Sequence, residues 1–597
     1  MKITAAAIRR YPTVFAFMLI ITIMGTVSYV RLPRESTPDV KIPFVMVMTP
    51  YSGTSPADVE NLITRKIERE LKGLPDLKQM TSTSVYGASN ILLEFTPDVD
   101  MSDALQRVRD RVELAKPELP EDPREDLMVI EISADSWPIM QVVLSGEYDL
   151  SRLKDVGEDL QEEIEQIKGV LGVDLTGGVE HEVRVDVDPE RLRFYDLGLQ
   201  DVQDAIAFQN MTIPGGKLSL GTYDYKVRVP GEVKSVDEIL DFVVNPGVDP
   251  PVYVRDVADV SFGIKDRETI ARLNGRDAVT LSVKKRSGEN IIEIADKVRD
   301  VIARMAPTFP PGTEVHIVGD QSDFVRDMVS ELENNILSGL VLVIAVLFAF
   351  FGLTNAVFVG VAIPFSMLMS FIVLRLLGIT LNMVVLFSLI LALGMLVDNA
   401  IVIVENIYRH RNQGMGPTVA ARVGTAEVSG AVVASTLTTL CAFAPLIFWP
   451  GIMGEFMKYL PITVIITLTA SLVVALIFNP VLCSRFMRLP KTTAEKPRIG
   501  DRLIAFGLRS YEPTLRWALR HRGLVLGGMT GLLLLTFALF GVFNAGVELF
   551  PDTDPTYAYV SIDAPSGTRI EQSDVYSRQV EDEPFAEHFA TAGAVWL

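Results

Sequence analysis

Residues 384–404 read VVLFSLILALGMLVDNAIVIV, an apolar run that contains one ionisable residue, Asp398. A run of this length can cross the roughly 30 Å hydrocarbon layer of a membrane as an α-helix. A carboxylate at the centre of such a helix costs roughly 2.5 kcal/mol or more, so it normally faces a protein interior and has a functional role. The run therefore predicts a membrane helix with a protonatable residue inside it.

Six further apolar runs are long enough to cross a membrane, so the sequence predicts a membrane α-helical bundle of about seven spans. Lys and Arg residues cluster beside several span ends, for example at Arg9, Arg10, Arg409 and Arg522. The positive-inside rule places those ends in the cytoplasm and the long region between the first two spans on the other side. The six runs are residues 14–30, 336–351, 356–377, 431–448, 462–482 and 524–543.

The region between the first two spans has a soluble composition and holds the acidic excess of a chain whose net charge is -20. Its patterns predict small α+β sandwiches with helices on one face of a mixed sheet. An insertion at about 186–261 contains a Pro- and Gly-rich hairpin at 213–221, which either contacts another molecule or is an ordinary surface loop. Strands are predicted at 43–49, 77–85, 91–95, 139–144, 171–175, 182–187, 278–283 and 314–318, and helices at 56–71, 101–115, 150–167, 199–208 and 291–305.

The last hundred residues contain an amphipathic segment and the second copy of a weak sequence repeat. Residues 501–520 combine apolar and arginine side chains, which predicts a segment on the cytoplasmic membrane face that is interrupted at Pro513. TPDVKIPFVMVMTPYSGT at 37–54 resembles FPDTDPTYAYVSIDAPSGT at 550–568, and each follows an apolar run. This weak repeat is typical of transporters built from two halves. It predicts that residues 546–597 begin a second outer block that is truncated.

Several function classes lack their signatures in this sequence. There is no GxxxxGK[ST] motif for a nucleotide and no zinc-ligand spacing among the five histidines and two cysteines. The acidic outer region argues against nucleic-acid binding, which requires a basic patch. We therefore predict no enzymatic activity and no cofactor.

Three motifs together resemble resistance-nodulation-division (RND) efflux pumps of the hydrophobe/amphiphile type. They are PYSGTSPADVENLITRKIERELKGLPDLKQMTSTSVYGASNILLEF at 50–95, GMLVDNAIVIVENIYRH at 394–410 and FNPVLCSRFM at 478–487. The order of one span, a large outer region, five spans, a basic connector and a new repeat agrees with the same family. The resemblance extends to about residue 580, and residues 582–597 do not read as its continuation.

The resemblance implies a multi-pass protein of the bacterial inner membrane with a large periplasmic α+β block. It also implies a homotrimer that works with a periplasmic adaptor protein and an outer-membrane channel, and that exports small hydrophobic or amphiphilic compounds with proton-motive force. The implied regions are a first span at 1–31, ferredoxin-like porter subdomains at 32–132 and at 133–178 with 268–330, a docking subdomain with its hairpin at 179–267, spans at 331–488, a cytoplasmic connector at 489–520, a span at 521–545 and the second block at 546–597.

The resemblance implies that Asp398 is a proton-coupling residue; a static ion pair and an ion-binding site are the alternatives. Efflux pumps of the family typically have a second aspartate where this chain has Asn399, so we predict that Asp398 alone carries protons. Its cationic partner in the family is a lysine of the second half.

Glu405 lies seven residues after Asp398, at the same helix face, and is either a proton exit or a solvated helix end. Thr436 and Thr439 extend the relay or bond their own helix.

The substrate site is less defined by the sequence. The resemblance places Trp137 near an aromatic wall of the substrate pocket, and Thr176 stands where a phenylalanine is usual. Methionines such as Met453 and Met457 allow a copper-type RND exporter as an alternative, although methionine is a common packing residue. A non-transporting receptor and an inactive half-transporter are further alternatives, and Asp398 argues against the receptor.

Overall fold

The chain divides into an α+β region and a bundle of long apolar helices. The computed structural model describes residues 2–38, 42–96, 99–220, 223–245, 250–267, 269–351, 353–487, 499–543, 560–562, 564–565 and 567–581. The strands in chain order are β1 Phe44–Pro50, β2 Leu77–Val85, β3 Ala88–Phe95, β4 Met128–Ile132, β5 Pro138–Ser145, β6 Val170–Gly177, β7 His181–Val187, β8 Ile213–Leu220, β9 Tyr223–Val229, β10 Val243–Asn245, β11 Val252–Tyr253, β12 Ala258–Ile264, β13 Ala271–Leu273, β14 Arg276–Lys285 and β15 Glu314–Val318.

The helices agree closely with the apolar periodicity of the sequence. In chain order they are α1 Lys2–Arg9, α2 Tyr11–Arg31, α3 Pro56–Val59, α4 Arg65–Leu71, α5 Met101–Ala115, α6 Asp122–Glu125, α7 Leu150–Glu165, α8 Pro189–Phe194, α9 Leu199–Gln209, α10 Val236–Leu240, α11 Val254–Val257, α12 Ile291–Met305, α13 Gln321–Phe351, α14 Leu353–Gly360, α15 Ala362–Leu376, α16 Met383–Asn412, α17 Pro417–Phe443, α18 Gly451–Met457, α19 Tyr459–Val473, α20 Asn479–Phe486, α21 Ile499–Arg520, α22 Arg522–Phe543 and α23 Ile570–Glu581.

The two larger sheets of the α+β region are antiparallel, so the prediction of mixed sheets is wrong. The first has the order β2-β3-β1-β4. β3 follows β2 through a hairpin and lies between β2 and β1. It pairs antiparallel with both, so β1 and β2 do not pair with each other. Alternate residues of β1 such as Val45 and Val47 are fully buried against the helices α4 and α5. Period-two burial of this kind is what fixes the register.

The second sheet joins strands from both sides of the insertion. Its order is β13-β14-β5-β15, with β6 also paired to β14. The central strands β5 and β14 pack on α7 and α12, which form one face. In the insertion, β7 pairs with β12, and β8 with β9 form the predicted hairpin, whose residues 213–219 and 223–229 are exposed. The subdomain boundaries given above remain predictions.

Seven helical stretches among the described residues are long and apolar enough to cross a membrane, which confirms the predicted bundle. The linker after α2 joins the bundle to the α+β region, because Glu35 N and Pro33 O both bond to Leu381 between α15 and α16. At Gly25 of α2 an added Cβ would lie 2.6 Å from Leu368 Cβ, so this close approach to α15 requires glycine. The seven stretches are Tyr11–Arg31, Gln321–Phe348, Ala356–Leu376, Met383–Asn412, Pro417–Phe448, Gly451–Phe486 and Arg522–Phe543.

The helix α21 is continuous through Pro513, so the predicted interruption at this proline is wrong. A proline removes one backbone donor and crowds the carbonyl four residues earlier, here that of Arg509. Residues 507–516 are exposed, and the carbonyl can therefore be solvated while the helix continues.

The second copy of the repeat also begins a helix after its SGT sequence, as the first copy does. The helix α23 begins at Ile570, and α3 begins at Pro56. Arg272 of β13 bonds to Asp574 and to Glu581, the latter at 2.9 Å, so α23 docks on the second sheet. The prediction for residues 582–597 lies outside the described residues.

Candidate proton-relay site in the helix bundle

The helix α16 positions the candidate relay. It begins after Asn382, whose side chain accepts a hydrogen bond of 3.1 Å from Val385 N. One stripe of α16 is fully buried against α19 and neighbouring helices, and includes Leu389, Ala392, Leu396 and Ala400. This three- and four-residue spacing is that of a single helix face. Asp398, two residues after Leu396, therefore projects from the opposite side.

Asp398 is exposed, and no described lysine or arginine forms an ion pair with it. Asp398 lies on the side of α16 away from its buried stripe, so the predicted protein interior around it is not formed by the described residues and stays a prediction. Glu405 is exposed on the same side and also has no ion pair to a described residue.

Asn399 and Thr436 are brought together by the packing of α16 on α17. The Thr436 hydroxyl lies 3.1 Å from Asn399 Oδ1 and 2.9 Å from Val432 O, so both oxygens share its single proton. Thr436 is 5% exposed. Thr439 instead donates to Ser435 O of its own helix at 3.1 Å. One of the two predicted threonines therefore contacts the relay residues, and the other bonds its own helix.

A second polar cluster, which the sequence reasoning missed, joins α16 to α17 near the far end of α16. Glu427 accepts hydrogen bonds from Asn406 at 3.0 Å and from Arg409 at 2.8 Å. His410 Nε2 lies 2.7 Å from Glu427 Oε2, and His410 is 8% exposed. The sequence feature that could have predicted this cluster is the spacing of residues 406, 409 and 410, which places three polar side chains on one face of a helix.

The structure places the two predicted substrate residues apart. Trp137 is 71% exposed and lines a cleft of ≈ 330 Å³ together with Glu35, Lys285 and Gln321. In the strand register Pro138 lies opposite Lys284, whereas Thr176 pairs with Thr280, which lies opposite Val143. Trp137 and Thr176 are therefore separated by roughly 20 Å along the strands.

The cleft beside Trp137 also contains a buried ion pair that the sequence did not reveal. Lys285 Nζ lies 2.5 Å from Glu35 Oε1, and the two side chains are largely buried. Gly288 N donates to the same oxygen at 3.0 Å. Among the described residues no group of three or more His, Cys, Asp or Glu could hold a metal ion.

Comparison with a family model and comparison with individual proteins give consistent results. The family model described as the AcrB/AcrD/AcrF family matches residues 3–593, so the prediction that the resemblance ends at about residue 580 is wrong. The chain is 30% identical over 563 residues to Multidrug resistance protein MdtC of Escherichia coli O139:H28 (strain E24377A / ETEC) and to that of Shigella boydii serotype 4 (strain Sb227). Each match covers 93% of this chain and 54% of the relative. The chain thus spans about half the length of these relatives.

Proposed function

Since this chain belongs to the AcrB/AcrD/AcrF family of RND transporters, we propose that it carries the proton-binding carboxylate of a proton-driven exporter. The observation that carries the proposal is Asp398, an ionisable residue in the middle of the membrane helix α16. A buried or membrane-facing carboxylate changes its charge on protonation, and this change can shift a conformational equilibrium. A membrane binding module has no need of such a residue.

Asn399 sets the stoichiometry in this proposal. Its amide is held by Thr436 and cannot exchange a proton at physiological pH, whereas an aspartate could. Asp398 is then the single proton carrier of the pair, and one proton passes through this site in each transport cycle. Glu405 remains a proposed exit residue.

The exposed side of α16 is proposed to face a further part of the transporter. The relatives are about twice as long as this chain, and Asp398 and Glu405 both project from the same uncovered side. A cation supplied from that part would stabilise ionised Asp398 and would be released when a proton binds. The family's second-half lysine is the natural candidate.

The proposed cargo is a hydrophobic or amphiphilic compound. This rests on the family and on relatives named as multidrug resistance proteins, together with the apolar and charged lining of the Trp137 cleft. By the same resemblance we propose a trimer in the bacterial inner membrane, with a periplasmic adaptor protein and an outer-membrane channel.

The test is Asp398→Asn in cells that express the chain within a complete transporter. This change keeps the size and hydrogen bonding of the side chain and removes its proton exchange. We expect efflux of a fluorescent amphiphilic cation driven by a pH gradient to fall to the background of cells without the transporter. Asp398→Glu, which keeps a titratable carboxyl, is the matched control and should retain part of the activity. Unchanged efflux in Asp398→Asn, at equal protein level, would contradict the proposal.

A further inference from the structure

The bundle contains a polar site in its last long helical stretch that the relay at Asp398 does not use. The helix α19 continues into α20 through a π-helical turn at Val474–Phe478. Such turns are rare and often occur at functional sites. Pro480 follows the turn and has no N–H, so the carbonyl of Leu476 cannot receive the usual hydrogen bond from residue 480.

The N-terminal helix supplies the missing donor. Thr4 Oγ1 of α1 donates to Leu476 O at 3.0 Å, and Thr4 is 3% exposed. α1 packs against the π-helical turn and against α17 and α20. The turn and α1 therefore form one packed unit at the end of the bundle that lies away from the α+β region.

Asn479 lies directly after the turn and is fully buried. Neither its Nδ2 nor its Oδ1 has a hydrogen-bond partner among the described residues, and it does not cap α20. On α17, which packs along α20, the fully buried Thr425 hydroxyl is likewise without a described partner. Buried polar groups without protein partners are costly, and in folded proteins ordered water usually satisfies them.

The position of Asn479 relates this site to the relay. Ser471 of α19, fully buried, donates to Leu396 O at 2.7 Å, which places Ser471 beside the turn of α16 just before Asp398. Asn479 lies eight residues further along the same helical stretch, roughly 12 Å towards the end of the bundle that holds α1. A polar site therefore lies between the level of Asp398 and that membrane face.

We infer that Asn479 binds ordered water inside the bundle, on the side of α16 opposite to Asp398. Asn479 has no exchangeable charge, and so it acts as a positioning residue for the water.

The water site is tested by X-ray hydroxyl-radical footprinting of the full chain in lipid nanodiscs, in water enriched in ¹⁸O. Cys483 is the reporter, because it is fully buried and lies one helical turn after Asn479. We expect clear ¹⁸O incorporation at Cys483 in the unmodified chain and in Asn479→Ser, and a loss of at least about threefold in Asn479→Leu, where no polar group remains to hold water. Met367, buried elsewhere in the bundle, is the internal control. Equal incorporation in Asn479→Leu, or none above Met367, would overturn the inference.

Discussion

Thr436 holds Asn399 in one orientation, because its hydroxyl donates to the amide oxygen and leaves the amide N–H groups to point elsewhere. We predict that Thr436→Val, which keeps the side-chain shape, lowers proton-driven efflux several-fold through the loss of this orientation. The measurement is efflux of an amphiphilic dye in cells with a complete transporter.

Thr438→Val is the matched control for that change. Thr438 is exposed on the same helix, and among the described residues its hydroxyl donates only to Ala434 O of its own backbone, at 2.8 Å. The control should transport like the unmodified protein. If the two variants lose equal activity, the hydrogen bond to Asn399 has no special role.

At this scale the sequence allowed candidate relay residues to be named but did not predict their surroundings. Asp398 could be named from the sequence because it is the one ionisable residue in the apolar run 384–404. Whether Thr436 or Thr439 meets α16 depends on the rotation of α17, which its nearly uniform apolar pattern does not determine. The Glu35–Lys285 pair joins residues 250 positions apart, and no local pattern contains that information.

Pro480 and Thr4 together determine which donor reaches the carbonyl of Leu476, and so they affect the stability of the π-helical turn between α19 and α20. Thr4→Val removes the donor to Leu476 O, and we predict a loss of about 1 kcal/mol in the free energy of unfolding. Pro480→Ala restores a backbone N–H that can donate to the same carbonyl. In the Pro480→Ala background, Thr4→Val should therefore cost clearly less.

A double-mutant cycle on thermal unfolding in detergent measures this coupling. Thr4→Ser, which keeps the hydroxyl, is the control and should remain close to the unmodified chain. Additive effects of Thr4→Val and Pro480→Ala would show that the hydroxyl does not replace the missing backbone donor.

Docking of α23 on the second sheet should depend on pH. Burial alone would raise the pKa of Asp574, but hydrogen bonds from Arg272 and Arg578 outweigh it, and the pKa is lowered. A carboxyl whose pKa is lower in the folded state stabilises that state above its unfolded pKa of about 3.9 and loses this effect as the pH falls through the folded pKa. We therefore predict that α23 stays docked at neutral pH and loosens below about pH 4.

The mobility of a spin label at Gln572→Cys, on the exposed side of α23, reports this docking. The label should become mobile on acidification in the unmodified background and should already be mobile at neutral pH in Arg272→Met. The double change Asp574→Asn with Glu581→Gln should remove the acid transition. A transition of the same size in that double variant would assign the effect to other groups.

Most elements were predictable because their periodicity is strong. The helices α5 and α12 and the strand β15 have the predicted bounds, since each has a clear buried face and polar flanks. The π-helical turn after α19 and the continuity of α21 through Pro513 were not predictable. Both depend on which backbone groups can find another partner or solvent, and this is decided by neighbouring elements.

For the whole molecule, the most informative feature is that some faces of the membrane helices are not packed against any other described element. In the membrane-spanning stretch α22 no described residue is buried, and Asp398 and Glu405 project from an uncovered side of α16. The matched relatives are about twice as long. These observations agree with a transporter in which further spans complete the relay, as the proposed function requires.

The proposed membrane orientation is open to a direct test. Lys and Arg flank the span ends on the α21 side, so we predict that α21 is cytoplasmic and that the hairpin of β8 and β9 is periplasmic. The exposed positions Ser219, in the hairpin, and Ser510, in α21, are suitable for single cysteines. The native cysteines, Cys441 and Cys483, lie in membrane-spanning stretches and are replaced by alanine for this experiment.

A membrane-impermeant maleimide that crosses only the outer membrane should label Ser219→Cys in intact cells. Ser510→Cys should be labelled only after the inner membrane is permeabilised. The reverse pattern would invert the orientation, and the acidic α+β region would then lie in the cytoplasm, where it could not meet a periplasmic adaptor. The Lys and Arg bias at the span ends sets the membrane orientation. Changing Arg520 and Arg522 to glutamate reduces this bias, and should therefore reduce the difference in labelling between Ser219→Cys and Ser510→Cys in intact cells.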